Sequence, residues 1–554
     1  MSVVEEVEGA EVVGGGGGAD AVDGVEDVIV VGGGPVGLWL AAELRLGGAS
    51  VTVLEARTVR SPHSRALTIH PRTIENLAFR GVAGPFLAEG GRIPRGHFGG
   101  LEALLDFSVL DTPYPFTLAL PQARTEELLE DHARAAGVRI LRGHRVTGLS
   151  QGAGSDSVTV RVEGAEGVGG AAAAGGGEAG VGAYALAGRY VVGCDGTRST
   201  VRAAAGIGFP GTDATVWGWL GDVVLDDPPP GAGLLNLSGP EGGLLVVPLG
   251  GGPHRFVGIT PEDIGAAPDG PPVLAELRAK VTRIAGRDFG MRDPAWLSRF
   301  GNATRQAARY RAGRVLLAGD AAHMHFPAGG VGLNVGIQDA TNLGWKLAAV
   351  VRGAASPGLL DSYHAERHPV GAELLESTRA QTALMLGFSP EGQALRAFLS
   401  GRIAGVPEFS RDLAERLSGL SVAYPPAPGS GAHPLTGRRA PDLALEPAPP
   451  GGPDAGSPDA GSPDSGSPAA GSPSAGATTL FGLLRDGRHV LLLGGGGGAG
   501  EEGHGPAEVP DGTVVRRARL VSSHPGWSGV RSVLVRPDGH VAWAYGEDRP
   551  PARR

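Results

Sequence analysis

Apolar residues recur along the chain in two spacings, and these predict both strands and helices. Continuous apolar runs, as at 28–31 and 51–54, are typical of strands buried on both faces of a parallel sheet. Segments 244–249 and 255–259 also have strand character, but they lie far from those runs. The spacing of one helix face is followed by Ile337, Ala340, Leu343, Leu347 and Val350. The pattern therefore predicts an α/β chain with an additional β-rich unit.

A glycine motif links the first two predicted strands. The first strand runs into Gly32-Gly33-Gly34-Pro35-Val36-Gly37, and Glu55 ends the second. This order matches G-x-G-x-x-G with an acid about 20 residues on, the pattern of a dinucleotide-binding βαβ unit. Gly32 permits the tight turn, Gly34 allows backbone amides to approach a pyrophosphate, and Gly37 allows close packing of helix and sheet. The Glu55 carboxylate can accept hydrogen bonds from the ribose hydroxyls. The motif alone leaves NAD and FAD open.

Two later segments favour FAD. Segment 314–323 is a predicted buried strand that ends in Gly319-Asp320, and segment 327–334 leads from it into a helix. An aspartate at a strand end can bind a ribitol hydroxyl, while amides at a helix start can stabilise negative charge on a flavin. Segment 191–202 again places an acid, Asp195, after a strand. Three such segments in this order predict an FAD site.

At this point the chain resembles the FAD-dependent aromatic hydroxylases of the para-hydroxybenzoate hydroxylase type (class A flavoprotein monooxygenases). The resemblance covers roughly residues 27–423 and is closest to the branch that hydroxylates polyketide aromatics and includes the rifampicin monooxygenases. Further segments carry it: Ser64-Arg65-Ala66, 121–129, 296–301, 342–347 and 363–369. The chain departs from the branch at Val331 (usually glutamine), Phe326 (usually proline) and Val36 (commonly threonine).

The resemblance implies a Rossmann-like FAD-binding domain of the GR2 type, an inserted β-sheet substrate domain and a C-terminal thioredoxin-like domain. It implies FAD as cofactor, NADPH or NADH as reductant and O₂ as co-substrate. Reduced flavin would form a C4a-hydroperoxide that donates oxygen to a polycyclic aromatic, in antibiotic or secondary-metabolite biosynthesis. An antibiotic-inactivating (rifamycin-type) or Baeyer–Villiger monooxygenase stays open. The rivals from other classes are an FAD-dependent reductase or dehydrogenase without oxygen insertion, and a flavin-binding regulator.

Candidate site residues follow from the motifs and the resemblance. The cofactor candidates are Gly32, Gly34, Pro35, Val36, Gly37, Glu55, Ala56, Arg65, Gln122, Arg124, Val146, Asp195, Asp320, Pro327, Gly332, Leu333 and Asn334. Pro327 is also the catalytic candidate, through its backbone on the flavin side. Sheet position suggests six substrate-facing residues, for which an ordinary core role is the alternative: Phe98, Phe107, Trp217, Trp219, Val247 and Phe256.

The predicted domains follow the same segments. The FAD-binding domain takes residues 25–84, 121–212 and 300–375, and the substrate domain takes 85–120 and 213–299. A helical segment spans 376–432, and the thioredoxin-like domain spans 433–554, with a turn at Pro537-Asp538-Gly539-His540. Glycine-rich residues 1–24 predict a disordered tail, and Asp-Ala-Gly-Ser-Pro repeats at 447–476 predict a flexible insert.

Composition limits which partners and which kinds of site the protein can have. The formal net charge of −10 favours neither nucleic acid nor an anionic membrane as a partner, and we expect a cytoplasmic enzyme. The single cysteine, Cys194, excludes an internal disulfide and a CxxC redox pair. His323 and His325 lack a third ligand at metal spacing, so no metal is expected. Gly148-Leu149-Ser150-Gln151-Gly152 fits the hydrolase elbow but leads into a predicted strand, which indicates a simple turn. The oligomeric state stays open.

Overall fold

The computed structural model describes most of the chain in eleven ranges: 25–152, 154–165, 182–230, 234–265, 267–426, 433–447, 478–494, 509–510, 512–520, 524 and 526–546. The predicted tail at 1–24 and all of the predicted insert except residue 447 lie outside these ranges.

A largely parallel sheet forms the centre of the nucleotide-binding part. Its strands are β1 (Glu26–Val31), β2 (Val51–Glu55), β8 (Arg139–Arg142), β9 (His144–Ser150), β10 (Val158–Gly164), β11 (Ala183–Gly193), β19 (Arg311–Ala312) and β20 (Val315–Leu317). The order is β19-β20-β11-β1-β2-β8, and β9 and β10 extend it antiparallel from β11. Residues 148–150 end β9, and the next element is the strand β10, so no helix follows Ser150 as the hydrolase elbow would require.

The helices of the nucleotide-binding part pack around this sheet. They are α1 (Pro35–Leu46), α2 (Pro71–Phe79), α3 (Ala83–Glu89), α4 (Gln122–Ala135), α5 (Thr200–Ala204) and α7 (Gly332–Val351). Helices α1 and α7 pack on each other, and their apolar residues join those of the strands in one large core. The predicted helical spacing from 337 to 350 is confirmed, since Ile337, Leu343 and Leu347 are buried in α7.

Short strands form small sheets around the nucleotide-binding part. One sheet contains β3 (Thr68–Ile69), β4 (Gly91–Ile93) and β7 (Thr117–Ala119), and a ribbon pairs β5 (Arg95–His97) with β6 (Leu104–Asp106). A third sheet contains β12 (Gly211–Thr212), β18 (Thr304–Gln306) and β21 (His323–Met324).

A five-stranded antiparallel sheet is inserted between α5 and β18. It runs β14 (Leu235–Gly239), β15 (Gly242–Pro248), β16 (His254–Ile259), β13 (Trp217–Leu225) and β17 (Met291–Gly301), and helix α6 (Leu274–Ala285) covers one face. The inserted β-sheet is thus confirmed, and β17 continues two residues past the predicted boundary at 299.

The C-terminal part begins with three helices, α8 (Asp361–Met385), α9 (Pro390–Gly405) and α10 (Pro407–Ser418). Helix α8 runs through the predicted boundary at 375. A six-stranded mixed sheet follows, with β22 (Ala444–Pro447), β23 (Thr478–Thr479), β24 (Val490–Gly494), β25 (Val514–Leu520), β26 (Val530–Val535), β27 (Val541–Gly546) and the short helix α11 (Leu480–Leu483). Parallel β24 and β25 are flanked by antiparallel strands, in agreement with a thioredoxin-like sheet.

Candidate functional site

The glycine loop between β1 and α1 has the geometry that the motif predicts. Gly32 has φ of +107°, and a Cβ there would overlap the carbonyl of Cys194. A Cβ at Gly37 would overlap the carbonyl oxygen of Gly32, so the helix packs against the loop without a side chain between them. Gly34 differs, because a Cβ there meets no protein atom within 4 Å. Protein packing therefore does not require a glycine at 34, and the open space leaves room for a bound group.

Two acid positions bracket this loop. Glu55, at the end of β2, accepts hydrogen bonds from the backbone amides of Gly33 (2.7 Å) and Arg57 (2.9 Å), which places its carboxylate beside the loop. Ala56, which follows it, is half-buried. Asp195 accepts hydrogen bonds from Ser199 Oγ (2.5 Å) and the Val201 amide, so its carboxylate caps α5. Burial raises the pKa of Asp195 despite these bonds.

The second FAD segment meets the first at Val36. A Cβ at Gly319 would lie 3.0 Å from the Val36 side chain, and one at Gly336 would press on the same side chain. Asp320 is exposed and has no hydrogen-bond partner among the described residues. Its Oδ1 lies 4.0 Å from the position of a Cβ on Gly332, at the start of α7. The structure thus joins the glycine loop, the Gly319-Asp320 turn and the start of α7, which are far apart in sequence.

Helices α1 and α7 both begin without a hydrogen bond from a capping side chain. Gly34 and Val331 occupy the N-cap positions, and neither has a polar side chain that could accept from the first amides of its helix. Pro35 follows at the first helical position of α1, as is common there. Both helices therefore present free amides and the positive end of their dipoles at the site, where phosphate and flavin oxygens would bind.

Segment 327–334, the flavin loop, is held in place by the side chain of Asn334. The Asn334 side chain accepts a hydrogen bond from the His70 amide (2.7 Å) and donates to the carbonyls of Thr68 and Gly330. Pro327 is exposed at the start of this loop, and Leu333 is half-buried. Gly329 and Gly330 have φ of +72° and +66°, which gives the loop its sharp course.

His70 is a neighbour of this loop that sequence reasoning missed. Its Nδ1 lies 2.7 Å from the carbonyl oxygen of Leu417, and its Nε2 lies 3.8 Å from the Cβ position of Gly330. Burial lowers the pKa of His70 to about 4, so the ring is neutral at neutral pH. The ring contacts the backbone of both Leu417 and Gly329, so it packs against the flavin loop as a neutral hydrogen-bonding group. The sequence offered no motif around His70 that could have revealed this.

The segment that carries Arg65 lies against the start of α4. Gln122 Oε1 accepts a hydrogen bond from the Ala66 amide (3.0 Å), while Arg65 is exposed and has no side-chain partner in the described part of the chain. Arg124 instead pairs with Glu89 (2.7 Å) and Glu127 (2.5 Å) at the surface. Arg65 is thus free to reach a bound phosphate, whereas Arg124 would first have to leave two carboxylates.

A cavity of about 480 Å³ lies between this segment and the inserted sheet. Its lining includes Arg60, Ser64, Arg124 and Arg255. Arg255 is buried, pairs with Asp222 (2.7 Å) and donates to the carbonyl of Ser64, so it ties the inserted sheet to the nucleotide-binding part. Val146 lies on β9, with its side chain buried in the main core.

The inserted sheet separates the predicted substrate residues by face. Trp219 and Phe256 are fully buried under α6, where Trp219 Nε1 donates to Asp263 (3.1 Å). The prediction that these two residues face the substrate is therefore wrong. Val247 pairs with Arg255 across β15 and β16 and lies on the opposite face, towards the nucleotide-binding part. Trp217 is half-buried and shares the alternation of Trp219 along β13.

Phe107 is also a core residue and not a substrate contact. It is fully buried in a cluster with Leu101, Leu105 and residues of α8 to α10. Phe98 is half-buried at the edge of the same cluster. The prediction for Phe107 is wrong because the ribbon β5–β6 packs its aromatic side chain against the helices.

Apart from Val247, the residues that face the nucleotide-binding part were missed. Leu220, Leu245 and Phe300 alternate with the residues of β13, β15 and β17 that α6 covers. Phe300 lies over Gly218 and packs on Phe326, beside Pro327, with ring centroids 5.3 Å apart. Strand alternation could have identified two sets of residues, but it could not say which set α6 covers.

Other predicted features have plain structural roles. His323 Nε2 lies 2.8 Å from Asp339 Oδ2, and both side chains are fully buried. Cys194 is half-buried beside the glycine loop, and burial raises the pKa of its thiol. In the described ranges, no three His, Cys, Asp or Glu side chains are grouped so that they could hold a metal ion. No helix in those ranges has both the length and the apolarity needed to cross a membrane.

The residues of this site fit FAD. The open space at Gly34, the free carboxylate of Asp320 and the uncapped starts of α1 and α7 are suited to a pyrophosphate, a ribitol hydroxyl and a flavin edge. All of these features lie at the carboxyl ends of parallel strands, where ligands bind in open α/β sheets.

Comparison with known proteins agrees with this reading. Residues 26–378 match the family described as FAD binding domain, and residues 466–554 match that described as aromatic-ring hydroxylase, C-terminal. An uncharacterised aromatic compound monooxygenase of Bacillus subtilis is 42% identical, with 95% of each chain covered. A rifampicin monooxygenase of Streptomyces venezuelae is 41% identical over 94% of this chain and 96% of the relative.

Solved structures show the same likeness over nearly the whole chain. The anhydrotetracycline hydroxylase OxyS from Streptomyces rimosus aligns with a TM-score of 0.77 and 38% identity, covering 94% of this chain and 96% of that one. The family fixes the reaction class as monooxygenation, which takes O₂ and an NAD(P)H reductant. The chain belongs to the FAD-dependent aromatic-ring hydroxylases and is a flavoprotein monooxygenase.

Proposed function

We propose that this enzyme hydroxylates a phenolic polycyclic aromatic of the polyketide type, in the biosynthesis of an antibiotic or another secondary metabolite. The observation that carries the proposal is the apolar wall beside the flavin loop. Phe326 and Ala328 flank Pro327 and are buried with Val216 and Ile259, and the half-buried side chains of Phe300, Met385 and Phe388 pack on this cluster and form its accessible side. A broad apolar surface with aromatic side chains suits a flat, fused-ring substrate.

Two neutral histidines lie near the flavin loop. His70 contacts the backbone of Gly329, and the Nδ1 of the neighbouring His97 is buried without a hydrogen-bond partner among the described residues. Burial lowers the pKa of both histidines, so the unpaired Nδ1 of His97 can form a hydrogen bond with a phenol without introducing a charge. Bound FAD supplies the redox chemistry that activates O₂, and the protein binds the ring, orients it and excludes water.

The relatives support the substrate class. One acts on rifampicin and another on anhydrotetracycline, and both of these are polycyclic products or intermediates with phenolic rings. The similarity to the rifampicin monooxygenase also favours a second candidate, the modification of a finished antibiotic. The need for NAD(P)H favours a cytoplasmic location for either activity.

A substrate panel tests the proposal. The holoenzyme is incubated with NADPH and O₂ and with tetracyclic phenols, angucycline-type ketones, rifamycins or simple monocyclic phenols. Product masses, NADPH consumed and hydrogen peroxide released are measured together. We expect a hydroxylated product and little peroxide with one of the fused-ring phenols. Coupled turnover only with a monocyclic phenol would contradict the proposal, and coupled turnover only with rifamycins would favour the second candidate.

A further inference from the structure

The turn between β26 and β27, residues 536–540, is buried in the nucleotide-binding part although it belongs to the C-terminal sheet. Asp538 and His540 are almost fully buried. A Cβ at Gly539, where φ is +73°, would lie 2.6 Å from the ring of Phe79 in α2. The turn thus sits directly on α2, with no room for a side chain at residue 539.

Two arginines bind the backbone of this turn: Arg72 lies in α2, and Arg80 follows the end of α2. Arg72 donates to the carbonyl of Asp538 (2.7 Å), and Arg80 donates to the carbonyl of Pro537 (3.0 Å). Arg80 also pairs with Glu43 of α1 (2.7 Å), so the same side chain reaches the helix that follows the glycine loop.

Acidic and basic side chains join the turn to α7 and α8. Arg536 donates to both oxygens of Glu366 (2.8 Å each), which also accepts from Lys346 (2.7 Å) and Asn342 (2.7 Å) of α7. Arg536 pairs with Asp538 within the turn (2.5 Å). Buried pairs of this kind fix geometry more than they add stability, because desolvation offsets much of their attraction.

One branch of these contacts ends at the flavin site. The ring of His540 packs on that of Tyr424 at a tilt of 34°, with centroids 4.2 Å apart, and the Tyr424 hydroxyl accepts a hydrogen bond from Arg367 (3.2 Å). Arg367 Nε donates to Asp339 (2.7 Å), and Asp339 accepts from the backbone amide of Gly319 (3.2 Å). Gly319 precedes Asp320, the free carboxylate of the site, so two buried side chains separate Tyr424 from the turn that holds this carboxylate.

We propose that the C-terminal domain is part of the flavin site: its turn 536–540 positions the Gly319-Asp320 turn through Tyr424, Arg367 and Asp339. Tyr424 and Arg367 are positioning residues, since neither lies among the groups that would contact FAD. The inference rests on FAD binding and not on the proposed substrate. Its test uses FAD affinity, so it can fail while the proposed function holds.

The test removes one hydroxyl. Tyr424→Phe keeps the ring that packs on His540 and deletes one acceptor of Arg367, which keeps its bond to Asp339. We expect the dissociation constant of FAD from the full-length protein to rise about threefold to tenfold, the contribution of one hydrogen bond. We also expect a change in the visible circular dichroism of bound FAD. In an Arg367→Lys background, Tyr424→Phe should have no additional effect, because the hydroxyl acts through the guanidinium.

Arg439→Met is the matched control. Arg439 also ties the C-terminal part to the rest of the protein, through Glu75 (2.9 Å), which pairs in turn with Arg72 beside the turn 536–540. This route contains none of Tyr424, Arg367 and Asp339, so it shares the turn with the proposed branch but not the branch itself. We expect this variant to lower the melting temperature and to leave both FAD readouts unchanged. If Tyr424→Phe lowers the melting temperature but leaves FAD affinity and the dichroism spectrum as in the wild type, the contact is only structural and the proposal is wrong.

Discussion

Gly34→Ala separates ligand binding from folding more cleanly than any other change at the site. The backbone at Gly34 has φ of −80° and ψ of −178°, which alanine adopts without strain, and the added Cβ meets no protein atom within 4 Å. Folding should therefore change little, because the gain of about 0.4–1 kcal/mol from restricting the unfolded chain is offset by the poorer N-cap that alanine gives α1. The methyl group would occupy the space for the pyrophosphate. Losing a charge-assisted hydrogen bond costs about 1.5–3 kcal/mol, so FAD should bind roughly tenfold to a hundredfold more weakly.

Two measurements on the same apoprotein check this prediction: the melting temperature, and FAD affinity from quenching of flavin fluorescence. Gly239→Ala is the control, because a Cβ there also meets nothing within 4 Å but lies in the inserted sheet, and both readouts should stay unchanged. Gly37→Ala should lower the melting temperature, since its Cβ would overlap the carbonyl of Gly32. Wild-type FAD affinity in Gly34→Ala would refute the assignment of this loop to the pyrophosphate.

Three further predictions concern other parts of the protein. Asp320→Ala removes a carboxylate without a described partner, so titration should show FAD affinity lowered about tenfold to a hundredfold at an unchanged apoprotein melting temperature. Leu245→Ala should raise KM for the substrate, whereas Val246→Ala, on the α6 face, should leave KM unchanged and lower the free energy of unfolding by roughly 1–3 kcal/mol. Burial would raise the pKa of Glu366, but Arg536 outweighs it and lowers the pKa to about 2. This depressed pKa contributes stability above pH 4.5 that is lost as the pH falls towards 2, and melting curves of Glu366→Gln should lack that dependence.

The FAD site could be predicted from the sequence because its residues lie in local motifs. Gly32 follows β1 directly, Gly37 lies in the first turn of α1, and Asp320 comes shortly after the end of β20, so the chain itself fixes where they stand relative to the sheet. The resemblance implied that these segments meet at one site. The structure shows how they meet, because α1, the Gly319 turn and α7 come into contact at Val36.

The substrate side could not be predicted in the same way. The alternation in β13 and β15 gives two faces, and only the position of α6 decides that Trp219 and Phe256 are core while Leu245 and Val247 face the nucleotide-binding part. Large aromatic residues are suited to either role, so residue type favoured the wrong face here. His70 was missed for a related reason, since its contacts with Leu417 and Gly330 come from distant segments.

The origin of the oxygen atom in the product tests the central claim most directly. The holoenzyme is supplied with NADPH and with the fused-ring phenol that gives coupled turnover, once under ¹⁸O₂ in ordinary water and once under ordinary O₂ in H₂¹⁸O. A flavoprotein monooxygenase places one ¹⁸O atom in the product in the first experiment and none in the second. Product oxygen that comes from water, or oxidation of the substrate without any gain of oxygen, would contradict the account.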